Sequence, residues 1–285
     1  MRRVIFNQKG GVGKTSIACN LAAISAARGL RTLIVDLDVQ GNTSYYLGNE
    51  QPLNLQYAQD RDDDGDGTIA ELFKQTMKFF KVDGKQSSNF IHETPYEDLF
   101  LMPSSPALKL MERELESRYK IYKLRDALDR LDDEFDRVYI DTPPCLNFYS
   151  RSALIAADTV LIPFDCDSFS RQSLYSLRNN ILEIREDHNP DLEIEGIVVN
   201  QFNPQARLPG EIVDEMKREG LPIFETTLPS SVKMKESHQR QIPLIHFAAA
   251  HKLTQQYVEL FDEIEATRNI GDFARQGWEP SIPVH

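Results

Sequence analysis

Short apolar runs alternate with amphipathic stretches along this chain, so the period switches repeatedly between two residues and about 3.6. Val4-Ile5-Phe6 reads as a strand, and residues 15–28 read as a helix with a small-residue face, closed by Gly29. Thr32-Leu33-Ile34-Val35 is a second, β-branched strand. An acidic excursion from about 48 to 97 carries no strong β signal, after which Leu99 to Met102 reads as a short strand. Between Ser105 and Leu131, Leu108, Met111, Leu115, Tyr122 and Leu128 recur at helical spacing, which predicts one long or broken helix. Strands at 137–141, 159–163 and 194–200 then alternate with helices near 147–156, 168–186 and 209–219. A strand near 221–228 and helices around 231–238 and 251–266 complete the series. Such alternation predicts an α/β fold: a doubly wound, mostly parallel sheet with helices on both faces. The expected organisation is one domain over 1–267 and a C-terminal tail over 268–285, which holds the only tryptophan, Trp278.

Composition narrows the class. With 285 residues the chain can bury one large core. No apolar run approaches the roughly 20 residues of a membrane span, and no signal peptide precedes the first strand. Cys19, Cys145 and Cys166 are scattered, without a Cys-x-x-Cys pair, which fits a reducing cytosol and no disulfide framework. The net charge is −12 and the pI about 5.0, so the chain has no globally basic footprint. Residues 50–100 hold 11 acidic and 5 basic side chains, a net of −6, so half of the −12 lies in one region.

That region contains a motif that invites a false reading. Asp60-Arg61-Asp62-Asp63-Asp64-Gly65, with Glu71 after five more residues, fits an EF-hand calcium loop. No amphipathic helix leads into it, and Gly67 stands where the loop wants an aliphatic side chain. Thr68-Ile69-Ala70-Glu71 is also a capping box, which commits Glu71 to a helix N-terminus. An acidic loop rather than a calcium site is expected.

The chemistry sits at the strand ends. Directly after the first strand comes Lys9-Gly10-Gly11-Val12-Gly13-Lys14-Thr15-Ser16. Glycines permit positive φ and leave successive N–H groups free to face phosphate oxygens. Lys14 is placed to reach β- and γ-phosphates, the Thr15 hydroxyl suits Mg²⁺, and the following helix adds its positive end. This is a nucleotide site. It departs from the standard phosphate loop, because Gln8 replaces the first Gly and Lys9 is an extra lysine at the rim. Lys9 has two readings: it serves a partner's nucleotide across a dimer interface, or it is simply solvated. Asp36 and Asp38 end the second strand ahead of Gly41, and Asp141 ends another ahead of Pro143-Pro144. A lone Asp there is usually a cap or turn residue. Three beside a phosphate loop point to the ligand-binding carboxyl edge of an open α/β sheet.

These residues resemble the ParA/MinD group of deviant-Walker ATPases, most closely its ParA (Soj-like) branch. Asn7-Gln8-Lys9-Gly10-Gly11-Val12-Gly13-Lys14-Thr15 looks like the family's loop, Asp36-Leu37-Asp38-Val39-Gln40-Gly41-Asn42 like its second motif, and Ile140-Asp141-Thr142-Pro143-Pro144 like its Walker B. The order continues through Ala156-Ala157-Asp158-Thr159-Val160-Leu161-Ile162-Pro163 and Gly196-Ile197-Val198-Val199-Asn200 to Leu228-Pro229, over roughly residues 2 to 265. The resemblance implies a P-loop ATPase that uses ATP and Mg²⁺ and forms a homodimer in its ATP state. Lys9 would reach the partner's phosphates, Lys14 and Thr15 would hold phosphate and metal, and Asp38 would position the attacking water. Asp36 and Asp141 would surround the metal, while Asn200 and the Pro229 loop would embrace adenine. Slow, partner-stimulated turnover is implied as well.

The same resemblance implies nonspecific binding to double-stranded DNA, a ParB-like or other cargo adaptor, and a cytoplasmic, nucleoid-associated location. Arg207, Lys233, Lys235 and Arg240 lie where the family keeps its phosphate-contacting bases, although Ser230-Ser231 stand where relatives often carry Arg-Asn. Solvated helix ends are the alternative reading of those bases. The loop starts at residue 7, so a helix-turn-helix domain ahead of it, and operator binding, are not expected. MinD-type members end in a basic amphipathic helix, whereas Glu259-Leu260-Phe261-Asp262-Glu263-Ile264-Glu265 is acidic, so membrane binding is not expected. The function expected is a ParA-like positioning ATPase. The alternative is an ATP-dependent small-molecule enzyme of the same superfamily, an amide synthase or dethiobiotin-synthetase-like enzyme. Cys145 is the one candidate for the cysteine ligand of iron–sulfur relatives and reads instead as packing.

Overall fold

A computed structural model of the chain describes residues 1–48, 67–74, 90–166, 170–203 and 205–269. Residues 60–66 of the EF-hand-like motif and the tail with Trp278 lie outside them. Strands β1 (Arg2–Ile5), β2 (Thr32–Asp36), β3 (His92–Glu93), β4 (Leu99–Met102), β5 (Arg137–Asp141), β6 (Thr159–Asp165) and β7 (Glu193–Asn200) form one sheet. Their order is β3-β4-β2-β5-β1-β6-β7, parallel except for β3, which pairs antiparallel with β4.

Both sheet faces are buried, and the period of two divides each strand between two cores. Val4, Leu33, Val35, Val138, Ile140, Val160, Ile162 and Val199 face one core, while Ile5, Ile34, Tyr139, Leu161 and Val198 face the other. The first core is covered by α4 (Leu108–Ser117), α5 (Lys123–Asp129), α6 (Phe148–Ala156) and α7 (Ser170–Asp187). The second is covered by α1 (Lys14–Ala27) and α11 (Lys252–Asn269). Helix α1 is buried nearly all round, which its Ala18, Ala22 and Ala23 permit by allowing close approach. It ends in a Schellman turn: Gly29 adopts φ 79°, its N–H donates to Ala26, and Leu30 N–H donates to Ser25.

The remaining helices are α2 (Asn42–Leu47), α3 (Ile69–Lys74), α8 (Arg207–Arg218), α9 (Val232–Arg240) and α10 (Leu244–Phe247). Glu71 lies in the first turn of α3, with its carboxylate 3.1 Å from Lys74. The expected 105–131 helix is broken: Tyr119 takes φ 53°, and a 3₁₀ turn at Lys120–Tyr122 re-aims α5 so that Leu124 and Leu128 also reach the core. The expected strand at 221–228 is not a strand. Only isolated bridges join Ile223 to Ile197 and Leu228 to Asn200. Pro222 has no N–H to give, and the N–H groups of Glu225 and Thr226 donate to the Glu263 carboxylate on α11 instead.

At the amino edge of the sheet one charge is deeply buried. Arg3, 1 % exposed, donates Nε and Nη2 to Glu195 at 2.6 and 2.7 Å, and Nη1 to the Tyr139 hydroxyl at 3.1 Å. Burial works against its charge, but Glu195 and Glu265 outweigh it and hold the guanidinium pKa above the ordinary value. Arg3→Ala should therefore cost about 3–5 kcal/mol in urea unfolding, because Glu195 is left buried and unpaired. A loss below about 1 kcal/mol would show that the pair contributes little.

Candidate functional site

Strands β2, β5 and β1 are neighbours, so their carboxyl ends bring three sequence-distant segments together. Asp36 and Asp141 are direct register partners, and Ile5, the last residue of β1, pairs with Asp141 on its other side. The loop turns on Gly11 at φ 78° and Gly13 at φ 92°, conformations that favour glycine. Gly13 has a second constraint, because a Cβ there would lie 2.1 Å from Asn200 Nδ2. Asn200 Nδ2 donates to the Val12 carbonyl at 2.9 Å and Gln201 Nε2 to the Gly11 carbonyl at 2.7 Å, so the end of β7 fastens the loop.

Lys14 is 6 % exposed, and its Nζ donates to the Lys9 carbonyl at 3.0 Å, inside the loop's curve. Burial lowers its pKa, with Asp141 and Asp38 pulling the other way. The Thr15 hydroxyl donates to Asp141 at 2.6 Å, and Thr43 donates to the same carboxylate oxygen at 2.8 Å. Asp36 accepts the backbone and hydroxyl of Ser44 at 2.8 and 2.7 Å, and the Asp38 N–H at 3.1 Å. Asp38 accepts the Gln40 N–H at 3.0 Å, while its carbonyl accepts the Ser104 hydroxyl at 2.6 Å. Asp36 and Asp141 are fully buried. Burial raises both carboxyl pKa values; for Asp36 the charge of Asp141 adds to the effect, and for Asp141 the hydroxyls of Thr15 and Thr43 oppose it.

Lys9 is half exposed, and its Nζ lies 3.1 Å from Asp165 at the end of β6. Ser16 Oγ lies 2.9 Å from His238 Nε2 on α9, whose ring stacks on Tyr46 at 4.3 Å; burial lowers the His238 pKa. Beside the loop opens a cavity of about 450 Å³, lined by Gly11, Gly13, Asn200, Pro229, Ser230, Ser231, Lys235 and Leu253, among others. That volume lies in the range of small-molecule sites.

The expected DNA contacts lie on two helices, α8 and α9. Arg207 opens α8, with a side chain 91 % exposed and paired to Glu211 at 2.6 Å. Lys233 pairs with Glu236 at 2.6 Å and shares the Phe247 ring with Arg240, whereas Lys235 borders the cavity. Sequence reasoning missed Thr43, Ser44, Asp165, Gln201 and His238. The hydroxyl pair Thr43-Ser44, directly after the second motif, was a usable signal; His238, 222 residues from Ser16, offered none.

Two outcomes are expected of this geometry. Gly13→Ala should abolish nucleotide binding in isothermal titration while the protein stays folded; retained affinity would deny the loop its role. In the ligand-free protein Asp36 and Asp141 keep protons that the unfolded chain releases above about pH 4. Their contribution to stability is thus present at low pH and lost as pH rises through the raised folded values. Thermal melts between about pH 5 and 8 should show a shallower decline for Asp36→Asn than for the parent.

Comparison with known proteins accords with this layout. The AAA domain family matches residues 3–194. The chain is 34% identical over 262 residues to the chromosome partitioning protein ParA of Myxococcus xanthus, covering 91% of this chain and 86% of that one. It is 30% identical over 264 residues to the sporulation initiation inhibitor protein Soj of Bacillus subtilis, covering 92% and 97%. Among solved structures, a cobyrinic acid a,c-diamide synthase from Mycobacterium smegmatis, with bound ATP analog and magnesium, superposes with TM-score 0.75 at 24% identity, over 95% of this chain and 96% of the other. The Cyanothece McdA(D38A)–ATP complex does so with TM-score 0.72 at 23% identity, over 94% and 95%. Motifs, strand order and relatives that run almost its whole length agree, and the chain belongs to the ParA/MinD family of deviant-Walker ATPases.

Proposed function

We propose that this protein binds ATP with Mg²⁺, closes into an ATP-dependent sandwich dimer, and positions a cargo on nonspecific duplex DNA. One observation carries the reading: Lys14, Thr15, Asp36 and Asp141 meet beside a loop in which Gly11 and Gly13 hold positive φ. The donor chemistry fits the ligands. Among the described residues no set of three or more His, Cys, Asp or Glu side chains is arranged to chelate a metal alone. That suits Mg²⁺, which keeps several waters and shares its site with substrate phosphates. The neighbours crystallised with an ATP analog and magnesium, or with ATP, support the same choice.

Thr15 and Asp141, with Asp36 behind them, are the groups that would hold Mg²⁺, which supplies charge neutralisation across the β- and γ-phosphates. The chain's own residues do the rest. Lys14 and the loop N–H groups bind phosphate, and Asn200 and Pro229 flank the base in the cavity. Asp38, held in its turn by Gln40 and Ser104, orients the attacking water. Lys9 exchanges Asp165 for the partner's phosphates on dimerisation, so each subunit completes the other's site.

The relatives named as chromosome partitioning proteins support a DNA-linked role. A ParB-like or analogous adaptor that stimulates slow hydrolysis is part of the same proposal. Arg207, Lys233, Lys235 and Arg240 are the proposed phosphate contacts, and a dimer doubles them. The amide synthase is similar in fold alone, and no further observation favours a metabolic enzyme.

Asp38→Ala should keep ATP affinity within a few-fold and lower turnover by about 100-fold or more. Normal turnover in a phosphate-release assay would remove the assignment. Lys9→Ala should bind ATP but elute as a monomer in light-scattering chromatography. Filter binding to nonspecific duplex should require ATP, fall steeply with salt, and vanish in Arg207→Glu/Lys233→Glu. An ATP dimer with no DNA affinity would sink the DNA part of the reading.

A further inference from the structure

We infer that His238 is a positioning residue that couples the nucleotide loop to the basic helix α9. Three elements meet at its ring. Nε2 lies 2.9 Å from the Ser16 hydroxyl, one residue beyond Thr15 in the first turn of α1. The ring lies flat on Tyr46 of α2, with centroids 4.3 Å apart and planes 2° from parallel. The neighbouring Ser237 hydroxyl lies 2.5 Å from the Tyr46 hydroxyl. Helix α2 is in turn fastened to the buried acids, through Thr43 to Asp141 and Ser44 to Asp36. Asn20 closes the joint: its amide donates to the Ser16 carbonyl at 2.8 Å and its oxygen accepts Leu244 N–H of α10 at 2.9 Å.

Displacement of the phosphate-binding turn or of the acid-bearing segment therefore reaches α9 by directional contacts. That helix is capped by Ser231 on the cavity wall and presents Lys233 and Arg240 together beside Phe247. The directional Nε2–Ser16 contact transmits orientation, and the stack on Tyr46 holds the ring in place for it. The inference rests on the proposed ATP site, and only its DNA arm rests on the proposed DNA contacts.

The test is amide hydrogen exchange over residues 232–240 in the full-length protein, with and without Mg²⁺ and a nonhydrolysable ATP analogue. In the parent, nucleotide should slow exchange there. In His238→Ala that response should vanish while nucleotide affinity changes by less than about 3-fold, and ATP-dependent DNA affinity should fall about 10-fold, a typical coupling factor. His238→Gln, whose amide can stand in for Nε2, should restore both. A nucleotide-bound parent without a response in α9, a response that survives His238→Ala, or equal losses in His238→Ala and His238→Gln would each overturn the inference. Absence of nucleotide binding would instead remove the proposed ATP site, and the coupling with it. A coupled α9 without DNA affinity would remove only the DNA reading.

Discussion

Two carboxylates on adjacent strand ends, both shut away from water, set the terms for everything around them. Asp36 and Asp141 stand in register on β2 and β5. Ionised together they would repel, and neither is solvated, so the fold answers with hydrogen-bond donors and a nearby cation. Ser44 and the Asp38 N–H serve Asp36, while Thr15 and Thr43 serve Asp141. Lys14, itself pulled toward neutrality by burial, supplies nearby positive charge. The proposed Mg²⁺ would add positive charge at this cluster, and the adjoining loop is shaped for an anion.

The parts of this arrangement that are local in sequence were legible before any coordinates. Glycines beside Lys14, acids at the ends of β-branched runs, and Gly29 after an alanine-rich helix each act through their own backbone or immediate neighbours. The alternation of periods was enough to give the layering, because strands buried on both faces and helices between them leave few other solutions. What stayed hidden depends on partners far along the chain. The segment 221–228 is apolar enough for a strand, but Pro222 and the capture of two amides by Glu263 decide otherwise. The break at Tyr119 follows from where the cores lie, which spacing does not report. The same holds for Asp165 against Lys9 and His238 against Ser16.

The site is also unevenly tied down. Its base-side wall is fixed by Asn200 and Gln201 to loop carbonyls, and its acid side by short hydroxyl contacts. Lys9, by contrast, is half exposed and held by a single-residue ion pair at the rim, the kind of contact that contributes little and exchanges easily. A rigid cradle and a loosely held rim lysine suit the proposed sharing of the site between two subunits.

The sheet's two margins have a consequence for how copies can meet. On one side β3 pairs for two residues only and runs against the parallel direction. On the other, beside β7, the 222–228 segment covers the margin without becoming a strand: the Phe224 and Leu228 amides donate to β7 carbonyls, and those of Glu225 and Thr226 to Glu263. Among the described residues neither offers a long ladder of open N–H and C=O groups, the usual template for indiscriminate strand addition. Self-association through the sheet margins is thereby disfavoured, which leaves the nucleotide face to the proposed ATP-dependent dimer.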